Sequence, residues 1–138
     1  MRSATSWTVL AFVVAGVTLL GAAPDQKSAP SEIPEAEKNR KNPVETTPES
    51  IERGQTLFWS QCAMCHGEKG DGKGELAERY DFVVVDFTDA ALQKKRTDGE
   101  LFYLLTVGKD HMPGEGERMP DAWKWDLVNY IRTLDDAK

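Results

Sequence analysis

The sequence predicts an all-α domain. Two observations carry this: two stretches open with recognisable helix caps and a third repeats apolar residues at helical spacing, and the one strand-like run has no second run to pair with. The first helix opens at Thr47-Pro48-Glu49, which offers a capping hydroxyl, a proline at the first helical position and an early acid ahead of Ile51, Leu57 and Phe58. A short helical piece is expected around Glu75–Tyr80. Thr97-Asp98-Gly99-Glu100 reads as a capping box before Leu101, Phe102, Leu104 and Leu105, and Gly108 ends that helix. The last helix runs from about Asp121 to Leu134, with Trp123, Leu127, Tyr130, Ile131 and Leu134 on one apolar stripe. Phe82–Phe87, FVVVDF, has strand propensity; lacking a partner, it is expected as extended chain packed on the core.

These elements define a folded unit over residues 48–138. Residues 24–47 read as a linker: Pro24, Pro30, Pro34 and Pro43 alternate with charged side chains, and the stretch has no apolar face with which to offset its ordering entropy. Residues 1–23 form a third segment. Arg2 supplies a positive flank, Val9–Leu20 is a compact apolar run, and Gly21-Ala22-Ala23 offers small residues for cleavage, the layout of a secretory signal. The uncharged span Ser3–Pro24 is also long enough to cross a bilayer as an uncleaved anchor. Both readings stay open, and both export the folded unit into the periplasm, either free or tethered through residues 3–24. The folded unit is small for a self-sufficient core, so a bound cofactor would supply missing apolar volume.

Hydrophobic residues make up 40% and charged residues 29% of the chain, an ordinary soluble balance, and the net charge is −6. A phosphate-binding surface would be basic, so nucleic acid is excluded as a partner, and a protein that docks through charge is expected to present a basic patch.

The chemistry sits in QCAMCHG, residues 61–67, which holds both cysteines of the chain. A disulfide exchanger usually opens a helix after a strand in a βαβ context, and this pair follows a helix. A structural zinc site wants four well-spaced Cys or His ligands; Cys62, Cys65, His66 and His111 are the whole supply, and His66 abuts Cys65. Cys62-x-x-Cys65-His66 is instead the attachment signature of c-type haem, in which two thiols add to the porphyrin vinyl groups and the adjacent imidazole becomes a ligand of the iron. One covalent haem c, anchored by Cys62 and Cys65 and ligated by His66, is therefore expected. An electron carrier needs a second axial ligand, commonly a thioether, and Met112 and Met119, each followed by proline, both qualify. The loop GEKGDGKGE (67–75) lacks the endings of a phosphate or calcium loop and reads as a flexible turn over the haem edge. His111 reads as a surface histidine, with a role as alternative iron ligand left open.

The chain resembles the class I cytochromes c, particularly the bacterial single-haem domains related to the cytochrome subunits of cbb3-type oxidases. The resemblance covers about residues 50–134 and rests on Gly54, Phe58, Cys62, Cys65, His66 and Gly67, on DGELFYLLTVG (98–108) and on WDLVNYIRTL (125–134). It implies that Met112-Pro113, thirteen positions before Trp125, supplies the second ligand and that Met119 fills the lid. It further implies that Gly54 and Phe58 meet Leu127 and Tyr130, a close helix crossing that the missing side chain of Gly54 permits. Many class I members carry a proline soon after the motif whose carbonyl orients the proximal imidazole; none lies between Gly67 and Pro113, so a backbone carbonyl in 70–82 is expected in that role. The function implied is a non-enzymatic one-electron carrier between redox partner proteins, with transfer at the haem edge near Cys62 and Cys65. A haem enzyme or gas sensor with a labile distal ligand, and a fixed haem subunit of a larger dehydrogenase or oxidase, are the alternatives.

Overall fold

A computed structural model of the chain describes residues 32–136. The signal or anchor expected at 1–23 lies outside these residues; among the described residues no helix is long and apolar enough to cross a membrane. In chain order the elements are α1 (Glu35–Lys38), α2 (Pro48–Gln61), α3 (Ala63–His66), α4 (Glu75–Tyr80), α5 (Ala90–Lys95), α6 (Asp98–Val107), a two-residue antiparallel ladder of β1 (Gly108–Lys109) with β2 (Met112–Pro113), a 3-10 turn at Gly116–Arg118, α7 (Asp121–Ile131) and a last 3-10 turn at Leu134–Asp136. The helix starts follow from the caps. Thr47 accepts from the Ser50 N–H with Pro48 at the first position of α2, and the Thr97–Glu100 capping box closes at the start of α6. Phe82–Asp86 joins no strand ladder, as its isolation in the sequence requires, and Phe87 begins a turn.

The core is built where α2 crosses α7. A Cβ on Gly54 would stand 2.1 Å from the Asp126 carbonyl oxygen and 2.8 Å from the Tyr130 Cβ, so only glycine allows this approach. One turn on, the Phe58 and Tyr130 rings pack with centroids 5.3 Å apart. The contact of Gly54 is thus with Asp126 and Tyr130. Polar groups stitch the same crossing: Ser50 Oγ donates to Asp126 Oδ1 (2.6 Å), Arg53 donates to both carboxylate oxygens (2.8 and 2.9 Å), and Asn129 donates to Ser50 Oγ (2.8 Å). On its other side α7 meets α6 through the stacked rings of Phe102 and Trp125, 4.2 Å apart.

Because α7 is covered from two sides, every residue from Lys124 to Ile131 is buried, polar ones included. The single stripe expected for this helix becomes nearly its whole circumference. Trp123, expected on that stripe, is instead 49% exposed at the rim of a shallow groove shared with Leu57 and Thr56.

The linker expected over 24–47 is corrected for its described C-terminal part, where α1 and the chain after it form a strap across α6 and α7. Thr97 Oγ1 donates to the Lys38 carbonyl (2.8 Å), the Arg40 guanidinium lies 4.3 Å above the Phe102 ring, and Asn42 and Thr46 donate to Asn129 Oδ1 (2.8 and 3.0 Å). Val44 joins the core from the strap. The physical reason is that a strap needs few apolar side chains when polar groups of the domain, here Asn129, and an open ring face await it. A Cβ on Gly99 would stand 2.0 Å from the Glu37 carbonyl oxygen, so α6 is shaped to receive the strap.

Candidate functional site

The cysteine motif forms a single helical turn at the end of α2. The Cys62 N–H donates to the Phe58 carbonyl (2.8 Å), and the Cys65 and His66 N–H groups both donate to the Cys62 carbonyl (3.1 and 2.9 Å). Cys62, Cys65 and His66 are therefore neighbours by helical geometry alone. The glycine loop after the motif, expected to be flexible, is pinned onto this turn. Gly72 N–H donates to the His66 carbonyl (2.9 Å) and Gly74 N–H to the Cys65 carbonyl (3.2 Å). The approach is so close that a Cβ on Gly74 would stand 2.4 Å from the Met64 carbonyl oxygen. Gly72 has φ +76° and faces the Val84 carbonyl, which explains why this turn is glycine. Phe87 N–H donates to the Gly70 carbonyl (2.7 Å) and draws the extended run across the site.

His66 is buried between Phe87, stacked at 5.0 Å, and Phe58, tilted at 6.3 Å. Its Nδ1 is buried and closes no hydrogen bond. Burial holds the imidazole pKa below its ordinary value and the Val85 backbone carbonyl pulls the other way, leaving the ring neutral, the form that ligates a metal. That carbonyl lies beyond the 70–82 window expected from the sequence, because the glycine loop turns back and the extended run passes over the ring. Burial, then Glu115 and Cys65, push the Cys62 thiol up to about 12. A thiol protonated at neutral pH is the opposite of the low-pKa nucleophile of a disulfide exchanger. The effect of Glu115 also shows that the segment after Met112 comes back toward Cys62.

Met112 lies half-buried in β2, its residue pair in the ladder being Lys109, and packs against the core. Gly108 anchors the hairpin with φ +78°; a Cβ there would stand 2.4 Å from the Met112 carbonyl oxygen. His111 is exposed and stacked flat on Phe82 (4.2 Å, 9°), which in turn stacks on Tyr80. Met119 is a core residue, 3% exposed. Residues that sequence reasoning missed are Val85 and Phe87 around the imidazole, Glu115 near Cys62, and Lys124 beneath the Met112 segment. FVVVDF held a signal for the first two; the others depend on tertiary folding.

The residues fit a covalent haem. Two free thiols share one turn with a buried, neutral imidazole whose Nδ1 closes no hydrogen bond. Among the described residues no three His, Cys, Asp or Glu side chains converge as a metal cluster.

Comparison with known proteins agrees. Residues 49–131 match the family described as cytochrome C oxidase, cbb3-type, subunit III. No curated protein sequence matches. Among solved structures, the chain is similar to the KustC0563 c-type cytochrome at 26% identity, over 59% of this chain and 95% of that one, with a TM-score of 0.53. It is similar to a chain of the Kuenenia stuttgartiensis reducing HAO-like protein complex Kustc0457/Kustc0458 at 24% identity and TM-score 0.57, over 72% of this chain and 54% of the other, so it spans about half of that relative. Cytochrome CL of the marine methylotrophic bacterium Methylophaga aminisulfidivorans MPT shares the fold at 20% identity, 77% coverage of each chain and TM-score 0.54. With the family matched over more than half its length and the class I architecture in place, the chain belongs to the cbb3-type cytochrome c oxidase subunit III family and is a c-type cytochrome domain, an electron-transfer haem protein.

Proposed function

We propose that this chain is an exported single-haem carrier that passes one electron at a time between redox partner proteins, its haem bonded to Cys62 and Cys65 and its iron held by His66 and Met112. The observation that carries the reading is the buried, unspent imidazole of His66 on the same helical turn as both thiols. When bound, the haem supplies one-electron exchange between ferric and ferrous iron. The chain supplies the rest. Cys62 and Cys65 each give a thioether link, and His66 ligates in its neutral form. The thioether of Met112 raises the potential relative to a second imidazole or water. Buried Phe58 and Phe87 exclude water from the imidazole side. Exposed Trp59 and Met64 flank the two cysteines and offer an apolar rim for a partner, while the net charge of −6 favours a basic one. His111 is engaged with Phe82, which favours electron transfer over chemistry at a labile distal site.

The relative in a redox complex supports the narrower alternative that such a domain serves as a fixed module of an assembly. Export through residues 1–23, cleaved or retained as an anchor, completes the proposal. Acid–acetone extraction should leave the haem on the polypeptide, and Cys65→Ala should weaken or abolish maturation; freely extracted haem sinks the covalent reading. Pelleting of the native protein with membranes separates anchor from cleaved signal. An unchanged ferrous spectrum under carbon monoxide is expected of the carrier, whereas a shifted one indicates an open or labile distal position.

A further inference from the structure

Lys124 is a buried charge that the electron-transfer reading leaves unused. It stands on α7 at 2% exposure, where packing alone would favour an apolar residue. Its Nζ donates to the Gly116 carbonyl (2.8 Å), pairs with Asp121 Oδ1 (2.9 Å) and lies 5.3 Å from the centre of the Phe102 ring. The ammonium thus meets a carbonyl, a carboxylate and an aromatic face, and joins α6 and α7 to the segment that connects Met112 to α7.

That segment has few other fixings. The ladder before it is two residue pairs long, the Glu115 N–H donates to the Leu105 carbonyl (2.8 Å), and Arg118 bonds only locally, to the Gly114 carbonyl (2.9 Å) and the Glu115 carboxylate (3.4 Å). Met119 then plugs into the core. Between Glu115 and Met119 the chain turns at Gly116, whose φ is +41°, and the carbonyl of this residue is the one Lys124 grips. Without that grip the Gly116 carbonyl loses its charged donor, and the part-buried turn gains by swinging toward water.

We infer that Lys124 is a positioning residue: its ammonium clasps the Gly116 turn and so holds Met112 closed over the site. The inference rests on the reading of Met112 as the second ligand. It concerns the closed fraction of the segment rather than the identity of the ligand. An added ligand such as imidazole reaches ferric iron only in molecules whose Met112 has moved away, so its apparent affinity reports the open fraction.

The test uses the full-length holoprotein and the variant Lys124→Met, which keeps length and apolar volume and removes the donors. Loss of a charge-assisted hydrogen bond is expected to raise the apparent affinity of the ferric protein for imidazole about tenfold or more. Amide hydrogen exchange at residues 115–118 should accelerate by a similar factor, with exchange in α2 and α7 changing less. Lys124→Arg, which keeps donors, should restore most of both quantities. If Lys124→Met fails to mature, Asp121→Asn loosens the same ammonium from an exposed position and should shift both readouts in the same direction by about twofold. Unchanged imidazole affinity together with unchanged exchange at 115–118 overturns the clasp. So does acceleration spread equally over all helices, because that is a general loss of stability. Should Met112→Ala fail to raise imidazole affinity, the ligand assignment is wrong, and the exchange at 115–118 still decides for or against Lys124.

Discussion

The two sides of the site are held in different ways. The His66 side is a backbone framework: the motif's turn, the glycine loop and the extended run bond to one another through carbonyls and N–H groups, and a methyl group added at Gly74 has nowhere to go. The Met112 side is a two-pair hairpin with an exposed turn, continued by a segment whose ties are one backbone bond to α6, one lysine and one buried methionine. The first side is tied almost wholly by backbone groups around the imidazole; the second is tied to α6 and α7 by a few side chains and by the close seat of Gly108 and Gly114. A carrier that must keep one ligand bound through attachment and folding, and tune its potential through the other, is served by such an asymmetry.

Glycine substitutions break the comparison most sharply. Gly74→Ala should cost more than about 4 kcal/mol, the range of severe backbone and core lesions, and should collapse the yield of holoprotein. Gly116→Ala, where the nearest atom to an added Cβ is 3.7 Å away, should cost about 1 kcal/mol of backbone strain and leave maturation intact. Chemical denaturation of the two variants decides it; equal losses would mean that the sides are equally rigid.

The methionines come next. Met119→Ala should cost about 3 kcal/mol in unfolding free energy and keep the weak far-red charge-transfer band of a thioether–ferric haem pair. Met112→Ala should cost less, erase that band, admit carbon monoxide and lower the midpoint potential. The reverse assignment of the band would move the ligand from the hairpin to the core.

A smaller effect is expected from the strap. Deletion of residues 32–46 should lower stability by about 2 kcal/mol, from three lost side-chain hydrogen bonds and the cation–π contact, and Arg40→Ala alone by about 1 kcal/mol. A deletion that leaves the denaturation midpoint unmoved would return this segment to the status of a free tether.

The smallest effect is a pH dependence at the start of α2. The Glu49 carboxylate is held below its ordinary value of 4.5 by a backbone hydrogen bond and then by the Thr47 side chain. A depressed carboxyl adds stability that is full above the ordinary value and lost as pH falls through the lowered one. Glu49→Gln should therefore match the parent in strong acid and fall below it at neutral pH. An equal gap at both pH values would assign the difference to packing.

Much of this was legible in the sequence because it is local. The Thr47 and Thr97 caps, the helix at Glu75–Tyr80 and the grouping of Cys62, Cys65 and His66 on one turn depend on residues within four positions of each other. The close crossing at Gly54 was legible too, since a missing side chain announces an approach, though which residue of α7 would meet it was not fully so. The Val85 carbonyl was missed because its place depends on how tightly the glycine loop folds back. The strap was missed for a related reason: a polar stretch reads as unstructured unless Asn129 and Phe102 are already in place to receive it.

By itself, then, the sequence determined α2, α4, α6 and α7, the Thr47 and Thr97 caps and the one-turn spacing of the cysteine motif, all of which depend on short-range spacing, while α1 and the Asp89-capped α5 were not read from it. The tertiary structure alone decided that the Val85 segment passes over His66, that Trp123 lies outside while Lys124 lies inside, and that Met119 belongs to the core while Met112 sits half-buried on a two-pair hairpin. Those outcomes depend on which faces α2, α6 and the strap cover, and coverage is a property of long-range packing that residue spacing along one helix does not carry.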